Sequence, residues 1–189
     1  MAYYTVRKIL KESLPVLLVV IALASIFSGQ VLQHNERVLS IFPAFLIAIP
    51  AFINLAGDLA SVLAARLTTA MYTGMMDARF HFSEVLNTNY IATLIIGIIG
   101  FSFLGVAASF LASVIFKISL QSNPILIFIV ILVSGLVTTG LMFIIGIVVA
   151  IFSFRRGWDP DNITTPIITT IADAVGIVTL FFMVSLILL

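Results

Sequence analysis

The chain has 189 residues, of which 62% are hydrophobic and only 9% are charged. An ordinary soluble domain is about half apolar and about one-quarter charged, so this composition excludes a water-soluble fold. The nine Lys and Arg nearly cancel the eight Asp and Glu, which leaves no basic surface to bind nucleic acid, and the absence of cysteine excludes disulfides and thiolate metal sites.

Five apolar runs follow one another along the chain, and each can form a membrane-spanning helix. Crossing about 30 Å of hydrocarbon takes about 20 helical residues, and hydrophobicity that is continuous rather than alternating excludes barrel strands. The predicted spans are 13–35, 38–57 with a polar-striped continuation to about 73, a third within 85–116, a fourth within 118–154, and 162–189. The chain is therefore predicted to be an all-α integral membrane protein with five transmembrane helices, forming a single domain over residues 1–189.

The distribution of basic residues predicts the orientation in the membrane. With the N-terminus in the cytoplasm, seven Lys and Arg lie on the cytoplasmic side and two on the other. The cytoplasmic residues would be Arg7, Lys8, Lys11, Arg66, Arg79, Arg155 and Arg156, and those on the other side Arg37 and Lys117. Short cytoplasmic loops carry the excess of positive charge, so the N-terminus is predicted to be cytoplasmic and the C-terminus to lie on the opposite side.

The fifth run contains a single charged residue, Asp173. A charge inside a membrane span is costly and indicates function. In a helix that begins near Asn162, Asp173 would lie about 16 Å into the hydrocarbon core, and Thr169 would share its face. A carboxylate beside hydroxyl oxygens suits a hard cation such as Mg2+. The alternative is that a protonated Asp173 only holds neighbouring helices together by hydrogen bonds.

The second run carries a polar stripe. Asn54, Asp58 and Ser61 follow i, i+4, i+7 spacing, and small residues between them permit close helix packing. We take Asn54 and Asp58 as candidate cation ligands, because Asp58 and Asp173, both facing the interior of the bundle, would together balance a divalent charge. The alternatives are that Asp58 pairs with Arg66 or that it marks the end of the helix at the interface.

Two helix-disrupting residues also lie in the second run. Pro50 lacks a backbone N–H and Gly57 lacks a side chain. The pair predicts a kink or partial unwinding, which in transporters exposes backbone oxygens to an ion.

The loop before the fifth span contains Asp159 and Asp161. Acidic residues at a helix N-terminus are ordinary caps that complement the helix dipole, so the loop by itself indicates only topology. Up to this point the residues indicate an intramembrane cation site and do not name the ion.

Two segments resemble a known family of ion transporters. Residues 159–176 fit the pattern DPxxxxxPxxTTxxDxxG and resemble the last membrane helix of the MgtE magnesium channels. Residues 57–70, followed by Gly74 and Asp77, resemble the matching segment of the related eukaryotic solute-carrier magnesium transporters. Both segments stand at the expected places in a five-helix unit, and the resemblance covers essentially the whole chain.

The resemblance implies roles for individual residues. In that family the aspartate matching Asp173 is the central pore ligand for Mg2+, assisted by the positions matching Thr169 and Thr165. The aspartate matching Asp159 is implicated in cation binding at the cytoplasmic mouth. Asparagine is usual where this chain has Asp58, so the additional carboxylate implies a change in ion hydration or selectivity.

The resemblance also implies an assembly and a transported ion. It implies a homodimer around the ion path, and we expect the protein in the plasma membrane. Small residues of the third span, Gly97, Gly100, Gly105 and Ala107, would permit close packing in such a dimer or equally within one chain. MgtE channels carry large cytosolic sensor domains, whereas only about a dozen residues precede the first predicted helix, so we expect these domains to be lacking. The expected transported ion is Mg2+. The sequence leaves open whether passage is channel-like or coupled to Na+ or H+, although the lack of sensor domains and the second carboxylate resemble the coupled carriers slightly more.

Two other functions stay open at this point. One is a membrane-embedded metal-dependent enzyme that acts on lipid-linked phosphates, which would need several Asp or Glu residues clustered with basic residues at the interface. The sequence does not show that cluster, so no enzymatic activity is expected. The other is a structural subunit without transport of its own.

Overall fold

The structure, a computed structural model, describes residues 6–81, 83–115, 123–157 and 164–188, and every regular element in these ranges is helical. Two π-helical turns, Val16–Ile21 and Leu111–Ile115, join α1 to α2 and extend α5. The α-helices in chain order are α1 (Val6–Pro15), α2 (Ala22–His34), α3 (Glu36–Ile41), α4 (Pro43–Tyr72), α5 (Glu84–Phe110), α6 (Pro124–Arg156) and α7 (Thr165–Ile187).

Five helical segments are long and apolar enough to cross a membrane, which confirms the predicted number of spans. The segments are Ser13–His34, Pro43–Tyr72, Glu84–Val114, Pro124–Arg156 and Thr165–Ile187. The second span begins five residues later than predicted, because the short helix α3 occupies the start of that run.

Local sequence explains where the long helices begin and end. α4 and α6 begin at Pro43 and Pro124, where a missing backbone N–H costs little because the first turn has no intrahelical acceptor for it. The hydroxyl of Ser83 caps α5 by accepting a hydrogen bond from the backbone N–H of Leu86. α6 ends at Gly157, whose φ of 64° lies in the left-handed region that favours glycine.

α4 runs as one unbroken helix through Pro50 and Gly57. The predicted partial unwinding is therefore wrong. Proline removes a single hydrogen bond from the helix, and α5, α6 and α7 all pack against α4 and support it.

α4 lies at the centre of the bundle, in contact with α5, α6 and α7, and α2 packs against α7. The aromatic core includes the fully buried side chains of Phe45, Phe52 and Phe101, and the rings of Phe52 and Phe101 lie 5.2 Å apart. A Cβ atom on Gly135 of α6 would overlap the Phe101 ring. The glycine is therefore required for α6 to approach α5 this closely.

The glycines of α5 are used for packing within the chain. Gly97, Gly100 and Gly105 all face other helices of the same bundle. A Cβ at Gly100 would lie 2.9 Å from a Leu55 methyl carbon, and one at Gly105 would lie 3.2 Å from Cα of Phe128. These glycines are accounted for without a dimer, so they lend no support to a dimer contact through this face.

One end of α6 is tied to the loop between α4 and α5. The Arg155 guanidinium donates two hydrogen bonds to the carbonyl oxygen of Ala78, at 3.2 Å from Nε and 2.8 Å from Nη2. This contact puts Arg155 and the neighbouring Arg79 on the same side of the bundle, as the count of basic residues assumes. That this side is cytoplasmic stays a prediction.

Candidate functional site

Asp173 lies well inside α7. It is eight residues beyond Thr165, which corresponds to about 12 Å along the helix axis. The depth of about 16 Å predicted from the sequence was counted from Asn162, which lies outside the described residues. The Asp173 side chain is half-buried, and it is the one acidic residue in this otherwise apolar and hydroxyl-bearing helix.

The bare backbone at Gly57 brings α4 up against Asp173. A Cβ placed on Gly57 would lie 3.7 Å from Oδ1 of Asp173 and 3.7 Å from both Cα and Cβ of Thr169. One turn further along α7, a Cβ on Gly176 would lie 3.4 Å from the Phe52 ring. The two segments singled out in the sequence therefore meet at one place, along an antiparallel contact between α4 and α7.

Threonine hydroxyls lie one turn before Asp173 on α7. The Thr169 hydroxyl donates to the carbonyl oxygens of Thr165 and Pro166, both at 3.1 Å, and the Thr170 hydroxyl donates to that of Pro166 at 2.7 Å. A hydroxyl has one hydrogen and two lone pairs, so each threonine still offers an oxygen to water or to a cation. Thr165 is half-buried at the start of the helix.

Asp58 and Asn54 are exposed on the outer surface of α4. The prediction that both carboxylates face the interior of the bundle is therefore wrong for Asp58. The physical reason is that Gly57 occupies the position facing α7, and the next residue of a helix points about 100° away. Asp58 lies about 22 Å along the axis from Pro43, in the middle of α4, which also excludes the alternative that it marks the end of the helix.

A cavity of about 250 Å³ opens beside Asp173, between α7, α4 and the first span. Its polar lining consists of Thr170 and Asp173 from α7 and of Ser25 and Ser28 from α2. These serines were not predicted as site residues, because the first span is distinguished in the sequence only as an uncharged run. The signal was their spacing: residues 25, 28, 29 and 32, three and four apart, share one face of a helix.

α6 and α7 are joined by a separate polar contact. The hydroxyls of Thr138 and Thr179 are hydrogen-bonded to each other in a buried position. Hydrogen bonds of this kind stabilise helix pairs in membranes. The α7 helix is therefore hydrogen-bonded to α6 without Asp173. This weakens the alternative in which Asp173 only holds neighbouring helices together by hydrogen bonds.

The remaining candidate, Asp159, lies outside the described residues. Within the described ranges no group of three or more His, Cys, Asp or Glu side chains is placed to hold a metal ion. A cation held by the described part of one chain would thus be bound by few carboxylates, together with hydroxyl, carbonyl and water oxygens.

The sequence model of the MgtE family, described as a divalent cation transporter, matches residues 49–183. The match covers well over half of the chain and extends from α4 into α7, so it includes Gly57, Asp58 and Asp173. A comparison with curated proteins finds no match.

Proposed function

Because the chain belongs to the MgtE family of divalent cation transporters, we propose that it passes Mg2+ across the membrane along a path beside Asp173. Its five apolar helices fit a multi-pass membrane protein. The family is one of transporters, which argues against the membrane-embedded enzyme and the structural subunit.

The observation that carries the proposal is the contact between Asp173 and the bare backbone of Gly57 in the middle of the bundle. A charged Asp at the centre of a membrane helix costs about 2.5–3.5 kcal/mol on insertion scales, and more in simulations. A divalent cation passing beside the carboxylate offsets that cost. The absence of a side chain at Gly57 lets α4 lie directly against Asp173, and the space for the ion and its water is the cavity of about 250 Å³ that Asp173 also lines.

The other ligands have weaker support and rest in part on the resemblance. Thr169 and Thr165 offer oxygens on the same face of α7 as Asp173, and Mg2+ keeps several waters that such oxygens would bind. Asp159 would act at the mouth of the path. Asp58 and Asn54 point away from the bundle of their own chain, so they reach the ion only where a second copy meets α4.

Because Asn54 and Asp58 point away from the bundle of their own chain, we propose a homodimer. Asn54 and Asp58 are exposed near the middle of α4, where the residues on either side of them are mostly apolar. An amide and a carboxylate facing lipid at that depth are costly, and a second chain packed on α4 around a two-fold axis would cover both and bring two sets of carboxylates together. We further propose that the dimer lies in the plasma membrane with its N-terminus in the cytoplasm.

Metal uptake into vesicles that contain only the purified protein tests the proposal. We expect a Mg2+-sensitive dye inside the vesicles to report uptake, and the Asp173→Asn protein, reconstituted at equal density, to give little. Repeating the assay with and without a Na+ or pH gradient distinguishes coupled transport, in which uptake depends on the gradient, from a channel, in which it does not. No flux above that of empty vesicles, from folded protein, would reject the proposal and favour a structural subunit.

A further inference from the structure

The cavity beside Asp173 is bounded on one side by the first span, which the family match does not include. Residues Ala24, Ser25, Ser28, Gly29 and Leu32 of α2 form that wall. The serines lie on one face of a helix whose other residues in this stretch are mostly apolar. Two hydroxyls therefore share a cavity with the carboxylate that the proposed function places on the ion path.

Ser28 is the most informative of these residues. Its side chain is only 9% exposed, and its hydroxyl oxygen is buried without a hydrogen-bond partner among the described residues. A buried polar atom without a partner costs about 1–3 kcal/mol, so such atoms usually bind something. Ser28 lines the cavity, and Thr170 and Asp173 of α7 line the same cavity.

The size of the cavity fits a hydrated ion. A water molecule takes about 30 Å³, so the six waters of an octahedral Mg2+ shell need about 180 Å³. The cavity measures about 250 Å³. It therefore has room for a cation that keeps most of its shell, with the carboxylate on one side and the hydroxyls on the other.

We propose that the first span completes the ion path, with Ser28 and Ser25 binding the waters of a hydrated divalent cation beside Asp173. The inference rests on the proposed function, because it takes Asp173 as a group that contacts the ion. Water on a cation is a strong hydrogen-bond donor, and a serine oxygen accepts such a bond with its lone pairs. The serines position the ion through its water and do not replace that water.

Transport by the Ser28→Ala protein tests this role. The substitution removes one acceptor from the cavity, and we expect Mg2+ uptake into vesicles to fall by about threefold to tenfold, as for the loss of one hydrogen bond. Ser134→Ala is the matched control, because the Ser134 hydroxyl is also buried without a partner but lies on α6 and does not line this cavity. The control should transport at the wild-type rate. Equal rates for the two variants would overturn the inference, while loss of uptake in Asp173→Asn would still support the proposed function.

A second readout does not depend on transport. The chain has no cysteine, so an S28C protein carries a single thiol. We expect a charged, water-soluble thiol reagent to modify S28C much faster than S134C, and millimolar Mg2+ to slow the reaction of S28C. Protection by Mg2+ should disappear when Asp173→Asn is added. An S28C thiol that reacts no faster than S134C would show that the cavity excludes water and would overturn the inference, whatever the transport assay gives.

Discussion

Asp173 is held between two different surfaces of the molecule. Its carboxylate lies close to the backbone of Gly57, which carries no side chain, and the residue also lines the cavity that Ser28 lines. A carboxylate that served only to join helices would be expected to have a side-chain donor facing it. Here the nearest neighbouring helix offers a glycine, which favours an ion or its water as the partner.

Asp173→Ala should abolish divalent cation transport and leave a folded protein, and Asp173→Asn should reduce transport by at least about tenfold. Asparagine keeps one oxygen but loses the charge that balances a divalent ion. Uptake into vesicles measures the rate, and the melting temperature in detergent checks the fold. Asp58→Asn is the comparison and should have a smaller effect, because Asp58 is exposed and points about 100° away from the contact between Gly57 and Asp173.

The two interpretations of Asp173, as an ion ligand or as a residue that only joins helices, predict different results for Asp173→Asn. If the side chain only joins helices, Asp173→Asn preserves a hydrogen bond, keeps transport near normal and lowers only the melting temperature. The assignment of Asp173 as an ion ligand would be refuted if the Asp173→Asn protein took up divalent cations at the wild-type rate and Mg2+ competed with that uptake as it does in the wild type.

Gly29 offers a way to fill the cavity without disturbing the core. A Cβ there meets no atom within 4 Å, and the residue lines the cavity beside Asp173. Gly29→Leu should therefore lower Mg2+ uptake by about tenfold or more, as expected if several water hydrogen bonds are lost, without lowering the melting temperature. Gly140→Leu is the control, since a Cβ at Gly140 is equally free but lies on α6, away from this cavity. Full uptake by Gly29→Leu would show that the ion does not use the cavity.

At the level of helices, the packing of α5 on α6 depends on one glycine. Gly135→Ala would place a methyl group within the Phe101 ring, and overpacking of this kind costs about 1–3 kcal/mol. Gly140→Ala, five residues along the same helix, meets nothing and should be neutral or stabilising by up to about 1 kcal/mol through helix propensity. Thermal melting in detergent compares the two variants. A Gly135→Ala protein as stable as Gly140→Ala would contradict the packing described here.

The sequence was sufficient to predict the helices. It predicted only in part which surface of each helix faces its neighbours. Length and hydropathy predict the five spans, but the second was predicted to begin at residue 38, whereas α4 begins at Pro43. Periodicity correctly groups Asn54 with Asp58 on one face of α4. It does not reveal which way that face points, because this depends on the contact at Gly57 with α7.

The same limit explains why the serines of the first span were missed. A single serine costs little in an apolar helix and leaves hydropathy almost unchanged, so Ser28 resembles any tolerated hydroxyl. Only the position of α2 against α7 puts it near Asp173, and no local pattern contains that information.

For the whole molecule, the orientation is open to a direct test. Arg37 and Arg79 are exposed residues on opposite sides of the second span. In intact cells a membrane-impermeant thiol reagent should label Arg37→Cys, and it should label Arg79→Cys only after the membrane is permeabilised. The reverse pattern would place the N-terminus outside the cytoplasm.

A dimer through α4 should also be visible by cross-linking. Val62 lies one turn from Asp58 and is 48% exposed on α4, and Val148 is 56% exposed on α6. A short thiol cross-linker should join two Val62→Cys chains in membranes and leave Val148→Cys chains single. Cross-linking of Val148→Cys alone would place the contact between copies on another face.

The continuity of α4 determines at which residues a tilt of this helix would be detected. If α4, about 45 Å long, moves as a rigid body, a tilt of about 5° around the level of Asp58 moves each end by about 2 Å and the centre hardly at all. The proposed ion path near that pivot would then keep its geometry while the ends of the helix move. Spectroscopic labels near Pro43 and Tyr72 would therefore record the working cycle, and labels beside Gly57 would remain almost silent.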